Sequence, residues 1–504
     1  MKEIEICLGL IAKTPLNARL LSGWPALSGL RPRRQLLVAH YFDTSAGLLA
    51  RHRMGLRLRR ESGRWVQTFK AEVSGLERVE LNHRLSQRQA SPPPALSAEG
   101  LPRKDQLLAM GLRRGDIAAI LDLQTLREQF QVEVRRQTWA VTWGQSQLEL
   151  AFDQGLLRAN SQDRAFTELE LELSAGQVRD LFEATESLSA HLEGLGLEAF
   201  FETRSKAERG FQFAALQNAE GRHPRAAALA KSRAKERSQD TGSTKTSPIL
   251  SLHLQNAAYR LSKEVIEVLE TQEPEGPHQA RVALRQIRTL LKLLINAGLI
   301  DPSVRLEEKA SELADALGEL RDLDVAEEKL LRLLERHLGF DASVTAAAVA
   351  ISEQLQQTRS TLRQRLLTHD CRQFVLDVLA FANTLKDHVG LPEAQVFANE
   401  QAAWFRRRVK KRAKLEPTEE NLHRLRLSYK ALRYASPVLL ALGADNTLAE
   451  EARKAAKAQD RLGNDHDRAV MLTTLQKALS RQTLPVHHQD RFLALAQGLL
   501  VGMK

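Results

Sequence analysis

Cysteine is nearly absent: Cys7 and Cys371 are the only two in 504 residues. That excludes a disulfide framework and a cysteine-based zinc site. Aromatic residues make up only 5%, little material for the stacking platforms on which proteins hold single-stranded nucleic acid. No uninterrupted apolar run approaches the ~18 residues of a membrane-spanning helix, which excludes an integral helical membrane protein. The opening Met1-Lys2-Glu3-Ile4-Glu5 has no basic-then-apolar leader. Together with the scarce cysteine it sets the expectation of a bacterial-type cytoplasmic protein.

What is present is an ordinary soluble mix, 43% hydrophobic and 27% charged, which excludes wholesale disorder. At ~100–200 residues per domain the length predicts two to four domains. The net charge is 73 − 62 = +11, which favours polyanionic partners. It is unevenly placed: 29 − 27 = +2 over residues 1–220, 7 − 2 = +5 over 221–250, and 37 − 33 = +4 over 251–504. Segment 231–248 is rich in Ser, Thr and Lys without hydrophobic period and reads as a solvated linker. The expected organisation is a first domain over 1–220, a basic polar linker over 221–249 and a second domain over 250–504.

Before the linker, period-two stretches predict strands: Glu3-Ile4-Glu5-Ile6, Leu56–Arg59, Val66–Lys70, Gln131–Val134, Leu148–Asp153 and Glu168–Leu173. Segments 104–128 and 176–196 read as helices. The first domain is therefore an antiparallel α+β unit. After the linker Leu, Ala, Arg and Glu follow a helical period, so the second domain is all-α.

The second domain contains a repeat. His278-x-x-Arg281-x-x-x-Arg285-x-x-Arg288 returns as His423-x-x-Arg426-x-x-x-Lys430-x-x-Arg433, an offset of 423 − 278 = 145. The same offset carries Gly298 onto Gly443, Leu317-Gly318 onto Leu462-Gly463, and Asp322 onto Asp467. An ungapped register over this span implies duplicated helical bundles related by pseudo-two-fold symmetry. Positions i, i+3, i+7 and i+10 share a helical face, so each repeat presents a histidine and three cations as a stripe. The segments Arg321–Asp324 and Asp465–Arg468 are expected to pair with the stripes and hold the arginines.

In the first domain, residues i and i+2 of a strand share a face. Glu3 and Glu5 point together, as do Arg57 and Arg59, Glu149 and Asp153, and the row Glu168, Glu170, Glu172. A single such row is ordinarily a solvated face. Several single-sign rows backed by apolar residues instead suit a barrel or tunnel lined by opposed acidic and basic sectors. Like charges side by side are costly without compensation. Clustered carboxylates want a hard divalent cation, Mg²⁺ or Mn²⁺. Guanidinium and ammonium groups want phosphate oxygens.

These residues carry a family resemblance. Glu3-x-Glu5, Tyr41-Phe42-Asp43-Thr44, Leu56–Arg60, Trp65-x-Gln67-Thr68-x-Lys70, Glu149-x-Ala151-x-Asp153-x-Gly155, Glu168–Glu172 and Ser205–Gly210 resemble the CYTH (triphosphate tunnel metalloenzyme) superfamily over about residues 1–213. The resemblance implies a closed antiparallel barrel that binds a triphosphate and a divalent metal. It implies metal contacts at Glu3, Glu5, Glu149, Asp153, Glu168 and Glu170, and phosphate contacts at Arg57, Arg59, Lys70, Arg78, Arg136 and Lys206. Glu80 is a weaker candidate. Glu168, Glu170 and Lys70 are the implied catalytic residues, with either carboxylate orienting and deprotonating the attacking water. One position departs from the pattern: Cys7 stands where the family has Lys. A neutral thiol cannot replace a phosphate-binding ammonium, and one lost charged contact costs ~1.5–3 kcal/mol.

The helical stripes, with Leu317-Gly318-x-x-Arg321-Asp322-x-Asp324 and Leu432-Arg433-Tyr434, resemble the CHAD domain, which is associated with binding inorganic polyphosphate. The implied contacts are His278, Arg281, Arg285, Arg288, His423, Arg426, Lys430 and Arg433. The second domain shows no nucleophile–base pair, Gly-rich loop or metal motif and reads as a binding module. The leading expectation is a metal-dependent inorganic triphosphatase, converting tripolyphosphate to pyrophosphate and phosphate, joined to a module for long-chain polyphosphate. The alternatives are a polyphosphate-binding scaffold of weakened activity, thiamine triphosphate hydrolysis or adenylate cyclisation. Nucleic acid fits the charge but has no motif.

Overall fold

The computed structural model describes residues 2–12, 16–61, 63–74, 77–87, 93–218, 245–271, 275–299, 301, 303–336 and 342–458. The chain divides into two compact units, Met1–Gln239 and Asp240–Lys504. Among the described residues no helix is long and apolar enough to cross a membrane.

The first unit is an antiparallel sheet domain. Its strands are β1 (Lys2–Glu3), β2 (Glu5–Ile11), β3 (Arg33–Thr44), β4 (Met54–Glu61), β5 (Arg64–Ser74), β6 (Glu77–Arg84), β7 (Leu126–Trp143), β8 (Ser146–Ala159), β9 (Gln162–Ala175) and β10 (Glu198–Phe201). They form one sheet in the order β1-β6-β5-β4-β3-β7-β8-β9-β2-β10. The expected closed barrel needs a correction: the order has two ends and is not a continuous ring of long strands. One stretch of chain, β1 and β2, nevertheless reaches both sides of the sheet. Lys2 and Glu3 pair with Val79 and Arg78 of β6, while Glu5–Gly9 pair with Glu172–Glu168 of β9.

Both faces of this sheet are covered, by different chemistry. On the outer face, Leu56 and Phe69 pack under the helices α1 (Leu48–Arg51), α2 (Lys104–Ala109) and α3 (Arg114–Leu121), meeting Leu107 of α2 and Ile117 and Ile120 of α3. Helix α4 (Val178–Gly194) buries Leu181, Leu188 and Leu192 and lies against β7–β10. The inner face carries charge, and one end of it is filled by α5 (Lys206–Asn218). Phe213 and Ala214 of α5 pack with Tyr41, Phe130, Val132, Val134 and Leu157. A Cβ at Gly210 would sit 1.9 Å from the Phe130 ring, so glycine there is what lets α5 lie on β7. Asp43, at the end of β3, accepts the backbone N–H of Thr44 (2.7 Å), Leu49 (2.8 Å) and Ala50 (3.0 Å) and so ties the strand to α1. The Tyr41–Thr44 motif is thus partly architectural.

The second unit is all-helical. Its elements are α6 (Thr246–Glu270), α7 (Glu275–Asn296), α8 (Ser303–Arg336), α9 (Ala342–Leu366), α10 (His369–Leu385), α11 (Ala394–Arg412) and α12 (Glu419–Ala441). Helices α6, α7 and α8 pack in sequence, α10 returns against α6, and α11–α12 form a pair that docks through α12 on α7. The two helices bearing the repeated stripe are therefore neighbours. Most of the linker, and the second-repeat residues Leu462, Gly463, Asp465, His466, Asp467 and Arg468, lie outside the described residues.

Candidate active site and polyanion cleft

Directly paired residues of an antiparallel ladder share a face. Following the register inward gathers the first-half candidates onto one surface. Glu3 opposes Arg78, and Arg78 opposes Glu72. Lys70 opposes Glu80 and Gly55; Arg57 opposes Thr68 and Tyr41. Arg136 opposes Asp153, Asp153 opposes Glu168, and Glu170 opposes both Ala151 and Cys7. Glu149 and Glu5 both oppose Glu172.

The acidic sector is drawn together by cations. Lys206 Nζ, from the first turn of α5, lies 2.5 Å from Glu170 Oε1 and 3.0 Å from Asp153 Oδ2, and also contacts Glu168. Arg136 grips Asp153 with two parallel bonds, 2.7 and 2.6 Å, and contacts Glu170. Arg209, one turn after Lys206, pairs with Glu168 and stacks over Phe166, 4.6 Å from the ring centre. Asp153 and Glu168 are 0% exposed. Burial opposes the charge of Glu170, yet Lys206 and Arg136 outweigh it and hold its carboxyl well below the usual range. Burial likewise pushes Lys206 down, and Glu168, Glu170 and Asp153 reverse this and hold it well above the ordinary lysine value. Cys7 joins the same cluster; burial first, then Glu168 and Glu170, push its thiol well up.

The basic sector lies on β4 and β5. Arg57 hydrogen-bonds the buried Tyr41 phenol, and burial of that phenol is outweighed by the guanidinium, which lowers its pKa. Arg57 Nε is buried with no hydrogen-bond partner. Arg59 Nε donates to Glu61 at 2.6 Å. Lys70 pairs with Glu80; burial opposes the charge of Glu80, but Lys70 and then Arg57 bring its pKa to about 2.

Of the expected residues, Arg57, Arg59, Lys70, Arg136, Asp153, Glu168, Glu170 and Lys206 share the inner face or reach it. Glu5 is half-buried beside Glu172. Glu149 is on the same strand face but exposed, and the structure leaves it out of the cluster. Glu3 and Arg78 are placed by register only; their side chains lie outside the described residues. Sequence reasoning missed Arg209, Tyr41 and Glu61. Arg209 had a legible signal, its i+3 spacing from Lys206 on a helix.

The donor set fits a hard divalent ion. Three carboxylates, two of them wholly buried, converge on the one Lys206 ammonium. Asp153, Glu168 and Glu170 are the residues that would hold the ion, with Lys206 standing in for it.

In the helical unit the two stripes meet. Arg285 of α7 donates to the Tyr434 hydroxyl of α12 and stacks on its ring at 4.4 Å, and Arg433 approaches the same ring at 5.6 Å. Burial, then the neighbouring Arg285, Arg281, Arg426 and Arg288, lower Lys430 to about 8. Arg281 reaches the Gly318 carbonyl at 3.4 Å. Burial and Arg321 lower His278, so it is a neutral member of the face. His423 is exposed and Arg426 half-buried on α12. Arg288 is held within the stripe by Glu307 at 2.9 Å. One expectation is corrected. Asp324 pairs with Arg359 of α9 at 2.7 Å, not with the stripe, because the long α8 turns that residue toward α9. Asp322 does lie within the field of Arg281.

An antiparallel sheet with a charge-segregated inner face is followed by an all-helical unit in which two basic helices meet. Comparison with known families divides the chain in the same way. Residues 1–210 match the CYTH domain and residues 249–476 the CHAD domain. The chain is a CYTH domain followed by a CHAD domain. It is 32% identical over 181 residues to an inorganic triphosphatase of Haemophilus influenzae, covering 35% of this chain and 46% of that protein. It is 28% identical over 222 residues to an uncharacterised protein of Mycobacterium tuberculosis, covering 42% of each. The chain thus spans less than half the length of these curated relatives. Among solved structures, the CHAD domain of Ricinus communis is 23% identical with a TM-score of 0.45, covering 51% of this chain and 86% of that one. A putative adenylyl cyclase of Hippeastrum, described as having a dominant triphosphatase activity, is 20% identical with a TM-score of 0.28, covering 42% and 96%.

Proposed function

We propose that the first unit hydrolyses inorganic triphosphate with a divalent metal, releasing pyrophosphate and phosphate, and that the helical unit holds long-chain polyphosphate. The observation that carries the first part is the pairing of opposite charges on one buried face. Glu61, Glu80, Asp153, Glu168 and Glu170 each have a cation, drawn from Arg59, Lys70, Arg136, Lys206 and Arg209. A metal–triphosphate complex matches both halves: its metal suits the carboxylates and its phosphates suit Arg57, Arg59, Lys70, Arg136 and Lys206.

The chain's own residues then divide the work. Arg57 and Arg59, on alternate positions of β4, and Lys70 beside them bind the phosphoryl chain from one side. The unsatisfied Arg57 Nε is a donor waiting for an oxygen. Lys206 and Arg136 bind from the other side and offset charge that grows on the transferred group. Asp153, Glu168 and Glu170 hold the ion, which when bound polarises phosphate oxygens and lowers the pKa of water. Glu168 or Glu170 accepts the proton of the attacking water once its cation has turned to phosphate. Burial of Asp153 and Glu168, both 0% exposed, strengthens the contacts at the acidic end.

Cys7 favours a second reading, a polyphosphate-associated scaffold of weakened turnover, because a neutral thiol stands where the resemblance calls for an ammonium. Phosphate release from tripolyphosphate, nucleoside triphosphates and thiamine triphosphate, each with Mg²⁺, Mn²⁺ or EDTA, separates the readings. Turnover of tripolyphosphate that EDTA abolishes supports the enzyme; tight binding without release supports the scaffold. Preference for a nucleoside or thiamine triphosphate would replace the substrate.

A further inference from the structure

Phe166 has no ionisable group, yet it stands inside the charged sector. It pairs with Gly155 across β9 and β8, and Glu168 follows two residues along on the same face, paired with Asp153. Gly155 makes room for the ring: a Cβ there would lie 2.1 Å from it. Phe166 also packs against the apolar cluster that includes Phe130, Val134 and Leu157. The ring so fixed faces the two cations of α5. The Arg209 guanidinium lies 4.6 Å from its centre and the Lys206 ammonium 6.0 Å. Cation–π attraction is strong at the first distance and reaches its limit at the second. The two cations hold different oxygens of Glu168. Lys206 contacts Oε1, and Arg209 Nη2 donates to Oε2. Lys206 also touches Asp153 and Glu170, so it is the group that an incoming ion displaces. Among the described residues, Arg209 pairs instead with Glu168 and, at 4.0 Å, with Glu202. Glu202 is itself held by two hydrogen bonds from the Arg204 guanidinium. Arg209 is therefore held by two carboxylates and a ring, and it keeps Glu168 Oε2 in place while Oε1 exchanges Lys206 for the ion.

We propose that Phe166 is a positioning residue of the ion site: it fixes Arg209, and Arg209 fixes Glu168 with Oε1 turned to the ion. The inference rests on the reading that Asp153, Glu168 and Glu170 hold a divalent cation. It goes beyond that reading in dividing the cations of α5 into one that exchanges, Lys206, and one that stays, Arg209, and in giving the second an aromatic seat. A carboxylate already held in its bound orientation loses less freedom when the ion arrives, and the partners that orient a ligand set the affinity of the site along with the ligands themselves.

Mn²⁺ binding to the full-length, ion-free protein, read by electron paramagnetic resonance, tests this apart from turnover. Phe166→Leu keeps an apolar side chain and removes the π face. Its Mn²⁺ affinity should fall about 3- to 30-fold, the range of one cation–π contact shielded from water. Phe166→Tyr keeps the π face and should bind Mn²⁺ as the wild type does. Arg209→Lys keeps the charge but not the flat stack; it should also weaken binding, and it carries the test if Phe166→Leu does not fold. Because Phe166 acts through Arg209, Phe166→Leu combined with Arg209→Lys should lose no more than Arg209→Lys alone. Unchanged affinity in Phe166→Leu or in Arg209→Lys, equal losses in Phe166→Leu and Phe166→Tyr, or additive losses in the double variant would overturn the assignment while leaving the ion site standing. A wild type that binds no Mn²⁺ overturns the metal reading and this assignment with it. The expected pattern in a protein that releases no phosphate removes the enzymatic reading and leaves the role of Phe166.

Discussion

Removing the Lys206 ammonium should unfold the sheet domain at a lower temperature and make it respond more strongly to metal. Lys206 Nζ lies 2.5 Å from Glu170 and 3.0 Å from Asp153 and contacts Glu168, and two of these carboxylates are 0% exposed. Lys206→Met keeps the length of the side chain and deletes its charge. Arg136 still serves Asp153 and Glu170, and Arg209 still serves Glu168. Three carboxylates are then left with two cations. Breaking a buried pair by removing one partner costs ~3–5 kcal/mol. In a unit of about two hundred residues each kcal/mol shifts the midpoint by ~2–4 °C, so a fall of ~6–20 °C is expected. Mn²⁺ competes with the ammonium in the wild type but not in the variant. It should therefore raise the melting temperature of Lys206→Met by more than it raises that of the wild type. Differential scanning fluorimetry with and without Mn²⁺ and EDTA measures both effects. A variant that melts with the wild type, or equal metal shifts in the two proteins, would refute the placement of Lys206 at the centre of the carboxylates.

Cys7→Lys should raise kcat/KM for tripolyphosphate by about tenfold or more, the worth of one charged contact; unchanged kinetics would show that the position does not face the phosphate. Polyphosphate binding by the full chain should weaken as pH rises through about 8. Lys430 is lowered to about 8 in the free protein by burial and its arginine neighbours, and a bound polyanion favours its charged form. Binding therefore takes up a proton on the alkaline side, and Lys430→Arg should flatten the pH profile in fluorescence anisotropy; an identical profile in the variant would remove Lys430 from the cleft. Charge reversal at Arg281 with Arg288, and separately at Arg426 with Arg433, should each weaken labelled polyphosphate binding and reduce its salt dependence. Affinities equal to the wild type in both would return the stripes to ordinary solvated faces.

Much of the sheet was legible because a charged inner face and an apolar outer face leave a period of two in the strands. The pattern fails where both faces are apolar. In β3, Leu37, Ala39 and Tyr41 pack against α5 and Phe42 packs under α1–α3, while Leu36 is exposed, so no clean alternation survives. Segment 104–128 read as one helix; it is two short helices and the start of β7. Spacing also states which face a side chain takes but not how far along the strand the site extends. Glu149 shares a face with Asp153, yet four residues of strand put it ~13 Å away, at an exposed end. The helical stripes followed from the 3.6-residue period. The pairing of Arg288 with Glu307 and of Asp324 with Arg359 did not, because each partner sits on another helix.

The contact between Arg285 and Tyr434 has a historical consequence. Under the 145-residue offset, with 430 − 285 and 434 − 289 both 145, the counterpart of Arg285 is Lys430 and that of Tyr434 is Thr289. Thr289 does not reach across; its hydroxyl donates to the Arg285 carbonyl of its own helix at 2.8 Å. The bond between the repeats therefore runs one way only. Two copies that began interchangeable have become complementary, like a lock and its key cut from one blank. Neither can be replaced by a second copy of the other without losing the guanidinium–phenol contact. Sequence drift in the two repeats is then coupled across the cleft, and a return to perfect symmetry is closed.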